Sequence, residues 1–229
     1  MEKPLGTDEA ESRDLVARLK PGRLGAVVNF TQASSRGFEV LRQAIETGDT
    51  GELIGIDIVV TYPAWPRAWQ IDADWLRFRA EGGYTREVIS HFLFLAARFL
   101  GPLRLCHASP RYPDDPLLCE LDMLARLEST DGRPITVLGT TGGQQPDRQE
   151  VTVKGSRASY QFREFYQLWR SDGGPWPRPS TGPTRTLHQR AATPAHRVGQ
   201  VAARPGASAR NGRGGAGRSI PDRGMLAGR

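Results

Sequence analysis

The 229 residues, 38% of them hydrophobic, suffice for one domain with a buried core or for a domain followed by a disordered tail. Two cysteines, Cys106 and Cys119, exclude a disulfide framework, and their spacing fits no zinc motif in a chain with only four histidines. We therefore expect no metal site and a reducing, cytoplasmic location. The charged N-terminus indicates no secretory signal, and the longest apolar run, at 92–100, contains an arginine and is too short to span a membrane.

The net charge of +6 is unevenly distributed along the chain. Residues 175–229 contain ten arginines, no lysine and one acidic residue, a net charge of +9, which leaves −3 on residues 1–174. Residues 173–229 also have few large apolar side chains and no periodicity, so they cannot bury enough surface to offset the entropy of ordering. We predict a disordered Arg/Gly/Pro-rich tail over 173–229.

The first half of the chain alternates helical and strand patterns. A helix is predicted over 7–20, capped by Asp8 and with Leu15, Val16 and Leu19 on one face. The apolar run at 24–32 predicts a buried strand. The remaining two predictions are a helix over 37–48, ending at Gly48, and a strand over 51–62.

The middle of the chain holds an aromatic loop and an apolar helix. Two prolines and three tryptophans at 63–78 favour a packed loop. The segment 85–100 has helical character, with Thr85 as the expected N-cap and a Gly-Pro pair at 101–102 as the stop.

The rest of the body is rich in strands. Apolar and polar residues alternate over 119–128, with Glu120 on the polar face and Leu124 as an exception to the pattern. The Asp-Gly pair at 131–132 predicts a hairpin into 134–141, and residues 149–166 predict a second hairpin around Gly155. The expected fold class is α+β, an open, mostly antiparallel sheet covered on one face by helices.

Glu87 and His91 are the strongest candidate site that the residues alone indicate. Residues four apart on a helix share a face, so a carboxylate near the helix N-terminus can orient an imidazole one turn later. The imidazole could then exchange a proton with a substrate hydroxyl. The simpler alternative is a core histidine, because its neighbours are almost all apolar.

Three segments, in this order, resemble the Gfo/Idh/MocA family of two-domain NAD(P)-dependent oxidoreductases. "EKP" at 2–4 is similar to the family's Glu-Lys-Pro near the end of its nucleotide-binding domain. Residues 27–59 resemble the strand, helix and long strand that open its C-terminal domain, and "GGYTREVISHFLFLAARFLGP" at 82–102 resembles its Gly-Gly, Asp and His motif. The resemblance covers about residues 1–165 and implies a nucleotide-binding remnant at 1–22 and a substrate and oligomerisation domain at 23–172.

The resemblance also implies roles for particular residues. His91 matches the proton-transfer histidine, Lys3 matches the lysine that contacts the substrate and the nicotinamide region, and Glu87 stands where aspartate is usual. Lys3 and Pro4 are the implied cofactor contacts, for NAD or NADP. The expected substrate-binding residues are Gly82 and Gly83, which let the backbone approach a ligand closely, with Tyr84 and Arg86 beside them, and Trp69, whose ring could stack on a pyranose. Alternatively, Lys3 is a frayed, solvated lysine, Arg86 and Glu87 are surface charges, and the tryptophans anchor loop packing.

The sequence lacks the family's cofactor-binding turn. No "GxGxxG" occurs before residue 82, and "GRGGAG" at 212–217 follows no predicted strand. We therefore expect an N-terminally truncated oxidoreductase fragment that acts on a sugar, polyol or related hydroxyl substrate and cannot bind its cofactor alone. The alternative is a non-catalytic module that binds or forms a homo-oligomer through its open sheet. Nucleic-acid binding by the arginines of the tail is a weaker alternative, because few aromatic residues accompany them.

Overall fold

A computed structural model describes Lys3 and residues 9–19 and 27–176. Within these residues the chain forms three α-helices and seven strands, listed here with their bounds. The helices are α1 (Glu9–Leu19), α2 (Arg36–Glu46) and α3 (Ser90–Leu100), and the strands are β1 (Leu53–Tyr62), β2 (Leu103–Arg111), β3 (Asp122–Ser129), β4 (Pro134–Thr141), β5 (Arg148–Gly155), β6 (Ser159–Arg163) and β7 (Gln167–Ser171).

All seven strands belong to one sheet in the order β2-β3-β4-β1-β5-β6-β7. Every neighbouring pair is antiparallel except β1 and β4, which run parallel. The order does not close on itself, so β2 and β7 are open edges. The predicted α+β class with an open, mostly antiparallel sheet is therefore confirmed.

The core lies between the sheet and the helices α2 and α3. Alternate residues of β1 and its two neighbours point toward these helices and are buried, because successive side chains of a strand face opposite sides. The central contributors are Phe38, Leu41, Ile56, Ile58, Val60, Phe92, Leu95, Ile135, Val137, Val151 and Val153. This packing fixes α3, and with it the helix face that carries the candidate site.

The residues at the ends of α2 and α3 adopt the capping and stop conformations that their types favour. Ser35 caps α2 by accepting a hydrogen bond from the backbone N–H of Phe38. Gly48, just after α2, has a φ of 75°, and Gly101, after α3, has a φ of 77°, both in the left-handed region that glycine tolerates.

The described part of the strand predicted over 24–32, residues 27–32, is not a strand, although Asn29 makes a β-bridge. Val27 is 78% exposed, and residues 31–34 form a 3₁₀ turn. Phe30 stacks its ring on Phe94 of α3 with 4.1 Å between ring centroids. A short apolar run packs in this way through side chains as readily as in a sheet, and periodicity alone does not distinguish the two.

The second predicted hairpin is confirmed around Gly155, but its last strand is interrupted. β6 ends at Arg163, a turn at 164–166 follows, and β7 returns along β6. Residues 63–78 form an irregular segment with two short 3₁₀ turns, as predicted. The Asp8 cap, Pro4 and the tail from residue 177 onward lie outside the described residues. No helix among the described residues is long and apolar enough to cross a membrane.

Candidate functional site

An ion pair between a buried lysine and a partly exposed glutamate lies at the start of the helical segment that leads into α3. The Lys3 Nζ is 2.9 Å from the Glu87 Oε2, and the same ammonium donates to the Glu87 backbone carbonyl. The Lys3 side chain is only 4% exposed and that of Glu87 is 25% exposed. Lys3 is therefore not a solvated surface lysine, although its neighbours in sequence lie outside the described residues.

His91 lies about one helical turn after Glu87 and is half-buried. Its ring meets the ring of Phe30 edge to face, with 5.6 Å between centroids and an interplanar angle of 83°. The structure thus places a cation, a carboxylate and an imidazole along one short segment. It brings Lys3 and Glu87 into contact and places His91 four residues after Glu87, whereas the catalytic role of the three residues stays a prediction.

The segment that carries Glu87 begins as a π turn, Thr85–Ile89, and continues directly as α3. A π turn is wider than an α turn and occurs frequently at functional sites. The Ser90 hydroxyl donates to the Arg86 carbonyl at 2.6 Å, an additional hydrogen bond across this turn. The predicted helix over 85–100 is therefore continuous, but it has a π turn at its start.

Thr85 was predicted to cap this helix, and the prediction is wrong. Its hydroxyl has no hydrogen-bond partner among the described residues. Glu120 caps the segment instead, because its Oε1 accepts the backbone N–H of Thr85 at 2.7 Å. Glu120, predicted on the polar outer face of a strand, is in fact 7% exposed.

The two glycines before the turn make room for the protein's own backbone and for Glu120. A Cβ on Gly82 would come within 2.3 Å of the Leu76 carbonyl oxygen. A Cβ on Gly83, whose φ is 94°, would come within 2.6 Å of the Glu120 Oε2. These contacts explain both glycines without a ligand, so their substrate-binding role stays a prediction.

The other predicted substrate contacts are spread over different environments. Tyr84 is fully buried, and this burial, with the nearby Glu120 charge, raises the pKa of its phenol well above the usual range. The Arg86 guanidinium donates to the Ala80 carbonyl at 2.7 Å. Trp69 is 72% exposed, and the guanidinium of Arg67 lies 4.6 Å from its ring centroid. Tyr84 is therefore enclosed by the protein in this structure, whereas Trp69 is open to solvent, and the substrate-binding role of each stays a prediction.

The described residues do not fit a dinucleotide cofactor. A dinucleotide cradle needs a glycine-rich turn between a strand and the N-terminus of the next helix. Among the described residues, the one strand that precedes a helix in sequence is β1, and a long aromatic segment separates it from the π turn. Nor do the described side chains group three or more His, Cys, Asp or Glu residues that could hold a metal ion.

Neither a family model nor a curated protein matches the chain. Solved structures do match its fold. The WlbA dehydrogenase from Bordetella pertussis, in complex with NADH and UDP-GlcNAcA, has a TM-score of 0.63 at 17% identity, over 78% of this chain and 55% of that one. KijD10, a 3-ketoreductase from Actinomadura kijaniata, has a TM-score of 0.62 at 20% identity, over 77% of this chain and 55% of that one. An inositol dehydrogenase homolog from Azotobacter vinelandii, complexed with NAD⁺, has a TM-score of 0.60 at 22% identity, over 77% of this chain and 49% of that one.

The chain spans about half the length of these solved structures, which are dehydrogenases of the Gfo/Idh/MocA type. At these identities the comparison shows the fold, which is the fold that the sequence resemblance implied. The resemblance to this family is thus confirmed for the architecture of the described residues.

Proposed function

We propose that this chain supplies the substrate-binding and proton-transfer half of an NAD(P)-dependent oxidoreductase that acts on a hydroxyl group of a sugar or polyol. The observation that carries the proposal is the buried pair of Lys3 and Glu87, one helical turn before a half-buried His91. Solved structures of the same fold that are complexed with NADH and UDP-GlcNAcA, or with NADH and L-sorbose, support the substrate class.

The three side chains have complementary chemistry. A half-buried imidazole can accept the proton of a substrate hydroxyl when its ring is held in one orientation. The Glu87 carboxylate, at the N-terminal end of the segment, adds negative charge that stabilises a protonated imidazole. The Lys3 ammonium can in turn stabilise an oxygen that carries developing negative charge.

The energetic cost of the ion pair supports a functional reason for it. Removing an ammonium and a carboxylate from water costs several kcal/mol per ion, and a buried pair is often no more stabilising than apolar side chains of similar size. Lys3, 8% exposed as a whole residue, is therefore expected to contribute little net stability to the fold. Its presence next to Glu87 is accounted for by a need for charge at this position.

The described residues can supply a proton acceptor for the reaction but no binding site for the cofactor that would accept the hydride. Because they contain no dinucleotide cradle, cofactor binding would require a nucleotide-binding segment beyond them. We therefore expect a fluorescence titration of this chain with NADH to show no saturable binding. Saturable binding at micromolar concentration would contradict this part of the proposal.

Isothermal titration calorimetry with a panel of hydroxyl ligands tests the substrate site. The panel comprises cyclic polyols such as inositol, free sugars such as L-sorbose and nucleotide sugars such as UDP-GlcNAcA. We expect at least one ligand to bind the wild-type chain. In Lys3→Met, which loses a charge-assisted hydrogen bond, that ligand should bind about tenfold more weakly or worse.

Lys154→Met is the matched control for Lys3→Met. Lys154 also pairs with a carboxylate, that of Asp57 at 2.8 Å, but both side chains are more than one third exposed. Affinity should be unchanged in this control. A panel without any binder, or equal losses in both lysine variants, would overturn the proposal.

One feature of the sheet favours a second function, association through its open face. On the face away from the helices, Leu124, Leu138 and Val59 are successive cross-strand partners across β3, β4 and β1. Leu124 is 53% exposed. An apolar row across three strands is a suitable surface for another copy of the chain. Under this alternative, Leu124→Asp should lower the molar mass seen by light scattering.

A further inference from the structure

The turn between β6 and β7 has a backbone conformation that its side chains disfavour. Glu164 has a φ of 47° and Phe165 a φ of 65°, two consecutive residues other than glycine in the left-handed region. Bulky side chains adopt this region rarely, and glycine or asparagine would form such a turn with less strain. Strained residues of this kind persist where the surrounding structure fixes them, and they cluster at functional sites.

Three long-range hydrogen bonds hold this turn in place. The Gln32 side-chain amide donates to the Phe165 carbonyl at 3.0 Å, and Gln32 is 1% exposed. The Tyr166 hydroxyl lies 3.0 Å from the Thr31 hydroxyl, and the Glu164 N–H donates to the Gln149 carbonyl at 3.1 Å. The segment at 31–32 and strand β5 therefore fix the turn from two sides.

The fixed turn directs the Phe165 ring onto α3. The ring lies edge to face with His91, with 6.0 Å between centroids and an interplanar angle of 89°, and 5.2 Å from the Phe92 ring centroid. Phe30 meets the same imidazole at 5.6 Å and 83°. His91 is thus flanked by two phenyl rings, both nearly perpendicular to it, which restrict the rotation of its ring.

We propose that Phe165 is a positioning residue, and that the β6–β7 turn holds its ring where it sets the orientation of the His91 imidazole. This inference deepens the proposed function and rests on it for its purpose. The strain of the turn has a local reason on this account: glycine or asparagine at position 165 would relieve the backbone but remove the ring that contacts His91.

Nuclear magnetic resonance of the full chain with labelled histidine rings tests the inference. The chain has four histidines, and the signals of His91 are assigned by their loss in His91→Gln. In Phe165→Gly, which suits the left-handed backbone but lacks the ring, we expect the nuclear Overhauser effects between the His91 and Phe30 rings to change while the His107 signals stay in place. These effects report the orientation of the imidazole, whereas chemical shifts alone would respond to the lost ring current. Glu164→Gly is the matched control, because it relaxes the same turn and keeps the ring, and it should leave both histidines unchanged.

Unchanged Overhauser effects between His91 and Phe30 in Phe165→Gly, or equal changes in both glycine variants, would overturn the inference. A second measurement needs no variant: in the wild-type chain, ring protons of Phe165 and His91 should show a nuclear Overhauser effect, and its absence would equally overturn the inference. Neither experiment depends on ligand binding. A failed ligand panel would therefore reject the proposed function and leave the result for Phe165 readable.

Discussion

Two lysine–carboxylate pairs in this molecule have almost the same geometry in opposite environments. Lys3 and Glu87 are 2.9 Å apart beside α3, and Lys154 and Asp57 are 2.8 Å apart on the open face of the sheet. The side chains are 4% and 25% exposed in the first pair, against 36% and 40% in the second. Distance is therefore no guide to what a pair does, because burial decides how much each charge depends on its partner.

The largest expected effect comes from breaking the buried pair from its carboxylate side. Glu87→Ala leaves the Lys3 ammonium buried without its carboxylate, although the carbonyl of residue 87 remains as an acceptor, and this should lower the free energy of unfolding by up to about 3–5 kcal/mol. Asp57→Ala should lower it by about 0–1 kcal/mol, since water solvates the Lys154 that remains. Urea denaturation measures both variants, and similar losses in the two would remove the distinction between the pairs.

Glu120 extends the comparison to a buried carboxylate whose partner is a backbone N–H. Glu120→Ala removes the acceptor for the Thr85 N–H and should cost about 0.5–2 kcal/mol of unfolding free energy, the range for a lost helix cap. Glu120→Gln keeps a side-chain oxygen at this position and should recover much of the loss in the same denaturation experiment. If Gln is as damaging as Ala, the hydrogen bond to Thr85 is not what Glu120 contributes.

Salt sharpens the contrast between the two lysine pairs. At 1 M salt the screening length falls to about 3 Å, so any stabilisation by the exposed pair should vanish, whereas that of the buried pair should largely persist. Repeating the denaturation of Glu87→Ala and Asp57→Ala at high salt measures this. A destabilisation by Glu87→Ala that disappears with salt would show that Lys3 is accessible to water in solution.

The smallest effect concerns a fourth carboxylate, that of Asp49, which is exposed. Hydrogen bonds from Arg170 and Tyr160 lower the pKa of Asp49 to about 2, from an ordinary value of 3.8. Because the folded pKa is the lower one, the contribution of these bonds is complete above about pH 3.8 and is lost as the pH falls through about 2. In Tyr160→Phe, a carboxyl-carbon titration should move the Asp49 midpoint upward toward 3.8. An unmoved midpoint would assign the shift to Arg170 alone.

The elements with a clear period could be predicted from the sequence. The alternation at 51–62 gives β1, and the apolar spacing at 37–48 gives α2 with its glycine stop, because local side-chain pattern and backbone preference agree there. The run at 24–32 does not form a strand over its described part, because its local pattern does not determine what it packs against: Asn29 makes a β-bridge and residues 31–34 form a 3₁₀ turn. Its described part packs through Phe30 on α3 instead.

The site was predictable only in part, for a similar reason. The spacing of Glu87 and His91 is a local signal, but Lys3 lies 84 residues from its partner, and only the family resemblance indicated their proximity. Glu120 was missed because alternation placed it on a solvated face, and no local pattern shows that it reaches Thr85, 35 residues earlier. Phe165 was missed because its turn has a left-handed backbone without the glycine or asparagine that would predict such a turn from the sequence.

We propose that the buried ammonium of Lys3 and the imidazole of His91 face the same ligand. The chain has only three lysines, so a spectrum of lysine-labelled protein contains three side-chain signals. During titration with the hydroxyl ligand that binds most tightly in the panel, the Lys3 signal should shift together with the His91 ring signals while the Lys154 signal stays in place. A ligand that saturates the chain and leaves both Lys3 and His91 unmoved would contradict the account.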